Sequence, residues 1–162
     1  MKIIVILGID PGTATTGFSI LRQERDGFVV LDFGIISTDK NSSAGERLKK
    51  LYCEVGKLLK KFQPNILAVE KLYFFKNLKT ALPVSEARGV VLLATAQKKV
   101  KVIELTPLEV KMGICGYGRA DKKQVQKMVQ QILGLEKIPK PDDAADALAI
   151  AICGALKIKS CG

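Results

Sequence analysis

The chain contains no histidine. That removes Ser-His-Asp and Cys-His catalysis in their usual forms, and His-ligated zinc with them. Any chemistry must come from carboxylates, lysines, hydroxyls or bound metal. The four cysteines, Cys53, Cys115, Cys153 and Cys161, form no CxxC pair. With no export signal ahead of them they predict reduced thiols in a cytoplasmic protein, Cys53 and Cys153 as small core residues, and no structural zinc. No apolar run is long enough to span a bilayer, so no membrane partner is expected. The opening MKIIVILGID has one Lys, lacks a small-residue cleavage site and runs into Asp10-Pro11-Gly12. It reads as a buried strand rather than a signal peptide. Internal repeats, low-complexity stretches and long linkers are also lacking.

What is present fits one compact domain over residues 1–162, with 48% hydrophobic and 26% charged residues. Twenty-six Lys and Arg against sixteen acids give a formal net charge of +10. Such an excess points to a polyanionic partner, and nucleic acid is favoured because no lipid-inserting helix is evident.

Apolar residues 3–9 suit a central strand, closed by the Asp10-Pro11-Gly12 turn. Residues 17–23 and 28–37 read as two strands joined near Asp26-Gly27. Over 44–62, Leu48, Leu51, Tyr52, Val55, Leu59 and Phe62 form one helical stripe, leaving Lys49, Lys50, Lys57, Lys60 and Lys61 off it. Ile66 to Val69 is a short strand delivering Glu70. Residues 84–98 predict a helix with Pro83 near its start or at a kink. Its run Val90 to Leu93 suits a core or a dimer interface. Lys101 to Leu105 is another strand. Thr106 with Pro107 and Glu109, and Asp121 with Gln124, mark two further helix starts by the capping-box pattern. A last helix begins near Asp142, taken as its N-cap, and reaches about Lys159. The order β-β-β-α-β-α-β-α-α-α predicts an α/β fold with a mixed five-stranded sheet flanked by helices.

Four acids stand out. Asp10 and Glu70 end apolar strands, and strands that run parallel would open both at one sheet edge, where α/β sites form. Asp143 and Asp146 are one helical turn apart and share a face. If all four converge, each pair at about 4 Å costs about 1 kcal/mol in bulk water and about 4 at a protein-like dielectric. Against a stability of roughly 5–15 kcal/mol, several such pairs demand protons or cations. An all-oxygen donor set favours Mg²⁺ or Mn²⁺ over zinc. Two such ions, one activating water and one stabilising the leaving oxygen, are the standard solution for phosphodiester hydrolysis.

The segments GIDPGTATTGFSI (8–20), AVEKLYFFKN (68–77), ARGV (87–90), EVKMGICGYGRADKKQVQKMV (109–129) and DDAADALAIAI (142–152) occur in the order and spacing that resembles RuvC-type Holliday junction resolvases. The resemblance covers nearly the whole chain. It implies a ribonuclease-H-like fold and a homodimer that cuts two strands of a four-way DNA junction symmetrically, leaving 5′-phosphates, in recombination and repair. It implies Asp10, Glu70, Asp143 and Asp146 as ligands of two Mg²⁺ ions, with Mn²⁺ able to substitute and Asp10 shared between them. Some members place His at the position of Asp143; this chain keeps Asp. By motif position Lys111 and Lys122 approach the scissile phosphate, and Tyr73 stacks near the opened junction centre where Phe is usual. Gly116 and Gly118 shape a turn close to DNA. Arg88 is a further candidate phosphate contact, with a structural ion pair as its alternative. A RuvA–RuvB branch-migration complex is the implied partner.

Three other readings are open to the same residues. One is a ribonuclease-H-like nuclease acting on structured RNA, against which the LYFFKN and GYGRADKKQVQ segments argue. Another is an actin-like nucleotide binder, which needs two such domains. The third is a non-catalytic junction-binding module, which would have no use for the four acids.

Overall fold

A computed structural model describes residues 3–12, 14–72 and 78–160. Strands β1 (Ile4–Asp10), β2 (Thr15–Glu24) and β3 (Gly27–Ser37) form an antiparallel meander. Helix α1 (Ala44–Phe62) leads to β4 (Ile66–Glu70), and α2 (Leu78–Gln97) leads to β5 (Lys101–Leu105). Helices α3 (Pro107–Cys115), α4 (Lys122–Leu133) and α5 (Asp142–Ser160) follow. The sheet order is β3-β2-β1-β4-β5, with β4 parallel to both β1 and β5. The expected mixed five-stranded sheet and element order are both present.

Strand alternation divides the core in two. Ile6, Ile66 and Ala68 join α3, α4 and α5 on one face, while Leu7, Ile9, Leu67 and Val69 join α1 and α2 on the other. Asp10 has the parity of Ile6, and Glu70 that of Ile66 and Ala68, so both acids fall on the α5 face. The register pairs Ile9 with Val69, so the two acids end neighbouring parallel strands.

Helix α5 approaches β1 and β2 closely at Gly8 and Gly17, where the strands present no side chain to it. A Cβ at Gly8 would collide with the Ala147 carbonyl oxygen, and one at Gly17 with that of Asp143. Ser19, opposite Gly8 in the ladder, donates its hydroxyl to the Ala147 carbonyl at 2.8 Å. The helix answers with small residues: Ala144, Ala145, Ala147, Ala149 and Ala151 are all buried.

Both expected capping boxes are formed. Thr106 Oγ1 accepts from the Glu109 amide and Asp121 Oδ1 from the Gln124 amide, while the Glu109 and Gln124 side chains accept in return. Three expectations need correction. Helix α2 starts at Leu78, so Pro83 is its sixth residue rather than its boundary. In the run from Val90 to Leu93, Val91 is buried against the sheet, in line with the core alternative, and Leu93 faces outward. Cys153 is buried as expected, but Cys53 is exposed, because it lies on the far side of α1 from Leu51, Val55 and Leu59. Asp142 does not cap α5. The Pro141 carbonyl takes the first helical bonds, from Ala144 and Ala145, and Asp142 Oδ1 instead accepts from Gln126 Nε2 at 3.0 Å. The five α1 lysines are solvent-exposed, as their off-stripe positions predict.

Replacing Gly17 by Ala should force α5 off the sheet and lower the unfolding free energy by about 1–3 kcal/mol. Gly56→Ala, in α1 where an added Cβ meets nothing within 4 Å, should be neutral or stabilising by up to about 1 kcal/mol. Urea midpoints of the two variants check the contrast.

Candidate active site

Three elements deliver carboxylates to one place. Asp10 ends β1, and Asp143 and Asp146 lie on the opening turns of α5. One oxygen from each of the three can be chosen so that all lie within 4.8 Å of one another. Glu70, at the end of β4, is outside that triad but lines the same cleft as Asp10 and Asp146. The cleft has a volume of about 260 Å³. Its rim carries Lys111 from α3 and Lys122 from the start of α4, and Val110, Val125 and Ile150 form its apolar floor.

The electrostatics are those of a site short of positive charge. The Asp10 carboxyl is pushed from 3.8 up to about 8, first by burial and then by repulsion from Asp146, Glu70 and Asp143, with Lys122 partly offsetting. Burial and then Asp146 raise Glu70, against the pull of Lys111. Burial likewise raises Asp146, although Lys122 opposes it. The Lys122 ammonium stands 3.4 Å from Asp146 Oδ2 and 3.5 Å from Asp142 Oδ2. Burial works against its charge, but those two acids outweigh burial and its pKa is raised. One lysine cannot neutralise this cluster. Closely spaced hard oxygen donors, one of them with its pKa pushed up by burial and by its neighbours, fit a divalent metal such as Mg²⁺ or Mn²⁺. No sulfur or imidazole competes in the triad.

The sequence placed Asp10, Glu70, Asp143, Asp146, Lys111 and Lys122 at a site, and the fold brings these six together. Tyr73 lies outside the described residues. Arg88 forms the structural ion pair named as the alternative to a phosphate contact. Its Nε donates to the Glu70 carbonyl at 3.2 Å and its Nη2 pairs with Glu104, contacts that brace the strand end that carries Glu70. Sequence reasoning missed Thr15, whose hydroxyl donates to Asp143 Oδ2 at 2.6 Å. The signal was the alternating small residues Thr15, Gly17 and Ser19, all of which meet α5.

The family model for crossover junction endodeoxyribonuclease RuvC matches residues 6–154. The chain belongs to the RuvC family. A RuvC from Fusobacterium nucleatum is 52% identical over 147 residues, covering 91% of this chain and 77% of that protein. A RuvC from Alkaliphilus oremlandii is 50% identical over 152 residues, covering 94% of this chain and 93% of its own. Among solved structures, Thermus thermophilus RuvC in complex with a Holliday junction substrate superposes with a TM-score of 0.92 at 34% identity, over 97% of this chain and 96% of the other. The fold is thus the ribonuclease-H-like fold of RuvC, and the chain is a nuclease of the crossover junction endodeoxyribonuclease class. No described helix is long and apolar enough to cross a membrane.

A carboxyl whose pKa is raised on folding holds its proton more tightly in the folded state. The metal-free protein should therefore lose stability as pH rises from about 4 to about 8. Asp10→Asn cannot ionise and should flatten that decline, so in chelator its melting temperature should overtake the wild type's as pH approaches about 8. Added Mg²⁺ should raise the wild-type value and move the variant much less. A wild-type melting temperature that climbs across this window in chelator would contradict the account of the cluster.

Proposed function

We propose that the chain is a structure-selective endonuclease that resolves four-way DNA junctions by paired, symmetric nicks in recombination and repair. The observation that carries the reading is the meeting of Asp10, Asp143 and Asp146, with Glu70 at the same cleft, in a chain of the RuvC family. In this reading residues 1–162 act as one nuclease domain. The four acids would hold two Mg²⁺ ions, which Mn²⁺ could replace. When bound, the ions supply activation of the attacking water and stabilisation of the leaving 3′ oxygen.

The chain's own residues do the rest. Thr15 fixes the rotamer of Asp143 through its hydrogen bond, and Arg88 fixes the backbone at Glu70. Lys111 and Lys122, at the rim, meet the non-bridging oxygens of the scissile phosphate and hold it above the acids. The apolar floor of the cleft limits the water that can enter and strengthens these charge contacts. Paired nicks need two such clefts, so the working unit is a homodimer with one site per protomer. Exposed Leu82 and Leu93, on the outer side of α2, are available to that contact. A cytoplasmic setting and hand-over of the junction by a RuvA–RuvB branch-migration complex complete the proposal.

Asp10→Asn and Asp146→Asn should bind a synthetic four-way junction yet cut it roughly a thousandfold more slowly, the scale of several kcal/mol of lost charge stabilisation. Gel-shift and single-turnover cutting assays with Mg²⁺ measure the two effects separately. Wild-type rates in both variants would refute the assignment. Junction affinity should fall with salt with a log–log slope of roughly −0.9 per phosphate neutralised. Preference for a structured RNA over the four-way DNA would favour the alternative nuclease reading.

A further inference from the structure

The acid cleft does not stop at Lys122. Ala120 lines it and also lines a second groove, of about 340 Å³, between the end of α3, the turn after it and α4. Tyr117, Gln124, Lys127, Met128 and Gln131 form that groove's walls. The left-handed turn at Gly116, with φ of 66°, ends α3 and places Tyr117 there. Tyr117 is 54% exposed. Beside it Leu108 and Met112, one turn apart on α3, are 59% and 49% exposed. Gly118 packs over both, since a Cβ there would meet Leu108 Cδ1 and then Met112 Sδ. Tyr117 and Tyr52 are the exposed aromatics among the described residues, and the groove holding Tyr117 shares Ala120 with the acid cleft.

Its surroundings narrow the occupant. Lys127 lines it, Lys111 and Lys122 line the adjoining acid cleft, and Asp121 is close enough to act on Cys115 in the groove wall. Gln124 spends its Oε1 on the Asp121 amide at 2.8 Å, which leaves the Nε2 donors for another partner. A ring face, cations along one course and amide groups at the edge match a nucleotide: base against ring, phosphate against ammonium, base edge against amide. Continuity with the acid cleft makes the occupant a stretch of the same DNA strand that presents its phosphate to the acids.

We propose that this groove is a subsite for the base of a nucleotide flanking the scissile phosphate. The base stacks on Tyr117, and the groove therefore sets which sequence is cut. The proposal rests on the nuclease reading above, and its test keeps the two separable. Junctions carrying 2-aminopurine at single positions around the exchange point are bound in chelator, where nothing is cut. Wild type and Tyr117→Phe should change the fluorescence at one or two adjacent positions, and Tyr117→Ala should lose that change. With Mg²⁺, a panel of junctions varying in the flanking nucleotide should show the ratio of best to worst cutting rate collapsing roughly tenfold in Tyr117→Ala, the scale of one lost base–aromatic stack, and surviving in Tyr117→Phe. The same fluorescence pattern in wild type and Tyr117→Ala, or an unchanged sequence ranking, overturns the proposal. A wild type that binds without cutting defeats the nuclease reading, and the chelator signal still decides the subsite.

Discussion

The structure depends on how near α5 can come to the sheet. Asp143 and Asp146 belong to the last helix and Asp10 to the first strand, so their meeting is a long-range event. It requires a contact with no side chain between backbone and backbone at Gly17 and Gly8. A methyl group at either position would push the helix outward and separate the carboxylates. The alanines of α5 serve the same end from the other side, and the Ser19 and Thr15 hydroxyls fix its position along the sheet. Packing is therefore what creates the electrostatic difficulty.

That difficulty is managed in layers. Lys122 supplies part of the missing charge and Lys111 a smaller part. Further out, Arg88 ties the Glu70 carbonyl to Glu104, while Lys157 joins the Glu104 carbonyl to the Glu109 carboxylate, which in turn closes the α3 capping box. The ends of β4 and β5 and the start of α3 are thus laced together by groups that never reach the cleft. The Lys157 contact and the capping bonds hold Glu109 down at about 2, so this lacing stays charged well below neutral pH.

Much of this was legible in the sequence, and the reasons differ by feature. Thr106 with Glu109, and Asp121 with Gln124, announce helix starts because capping is settled within four residues. The acids were legible because charge at the end of an apolar strand has few uses. Pro83 misled because proline usually marks a boundary, whereas here α2 continues through it. Asp142 had the residue type of a cap, but the carbonyl of Pro141 took that place. Cys53 was misplaced by trusting residue type over helix angle, although the stripe through Leu51, Val55 and Leu59 already excluded it. Thr15 was invisible for a different cause: its value lies in a partner 128 positions away, and only the paired strands reveal that it faces α5.

Lys122 sits on α4 and not on the helix whose acid it neutralises, and this has a thermodynamic consequence. In the proposed reading, a DNA phosphate that drew the ammonium from Asp146 would strip the acids of their resident counter-charge and deepen their need for a divalent ion. Conversely, the Lys122 ammonium would be freer to turn toward the phosphate once the acids were neutralised by a bound cation. By linkage the two affinities must reinforce each other by the same factor. Each ligand would then bind the protein alone, but more weakly than in the presence of the other.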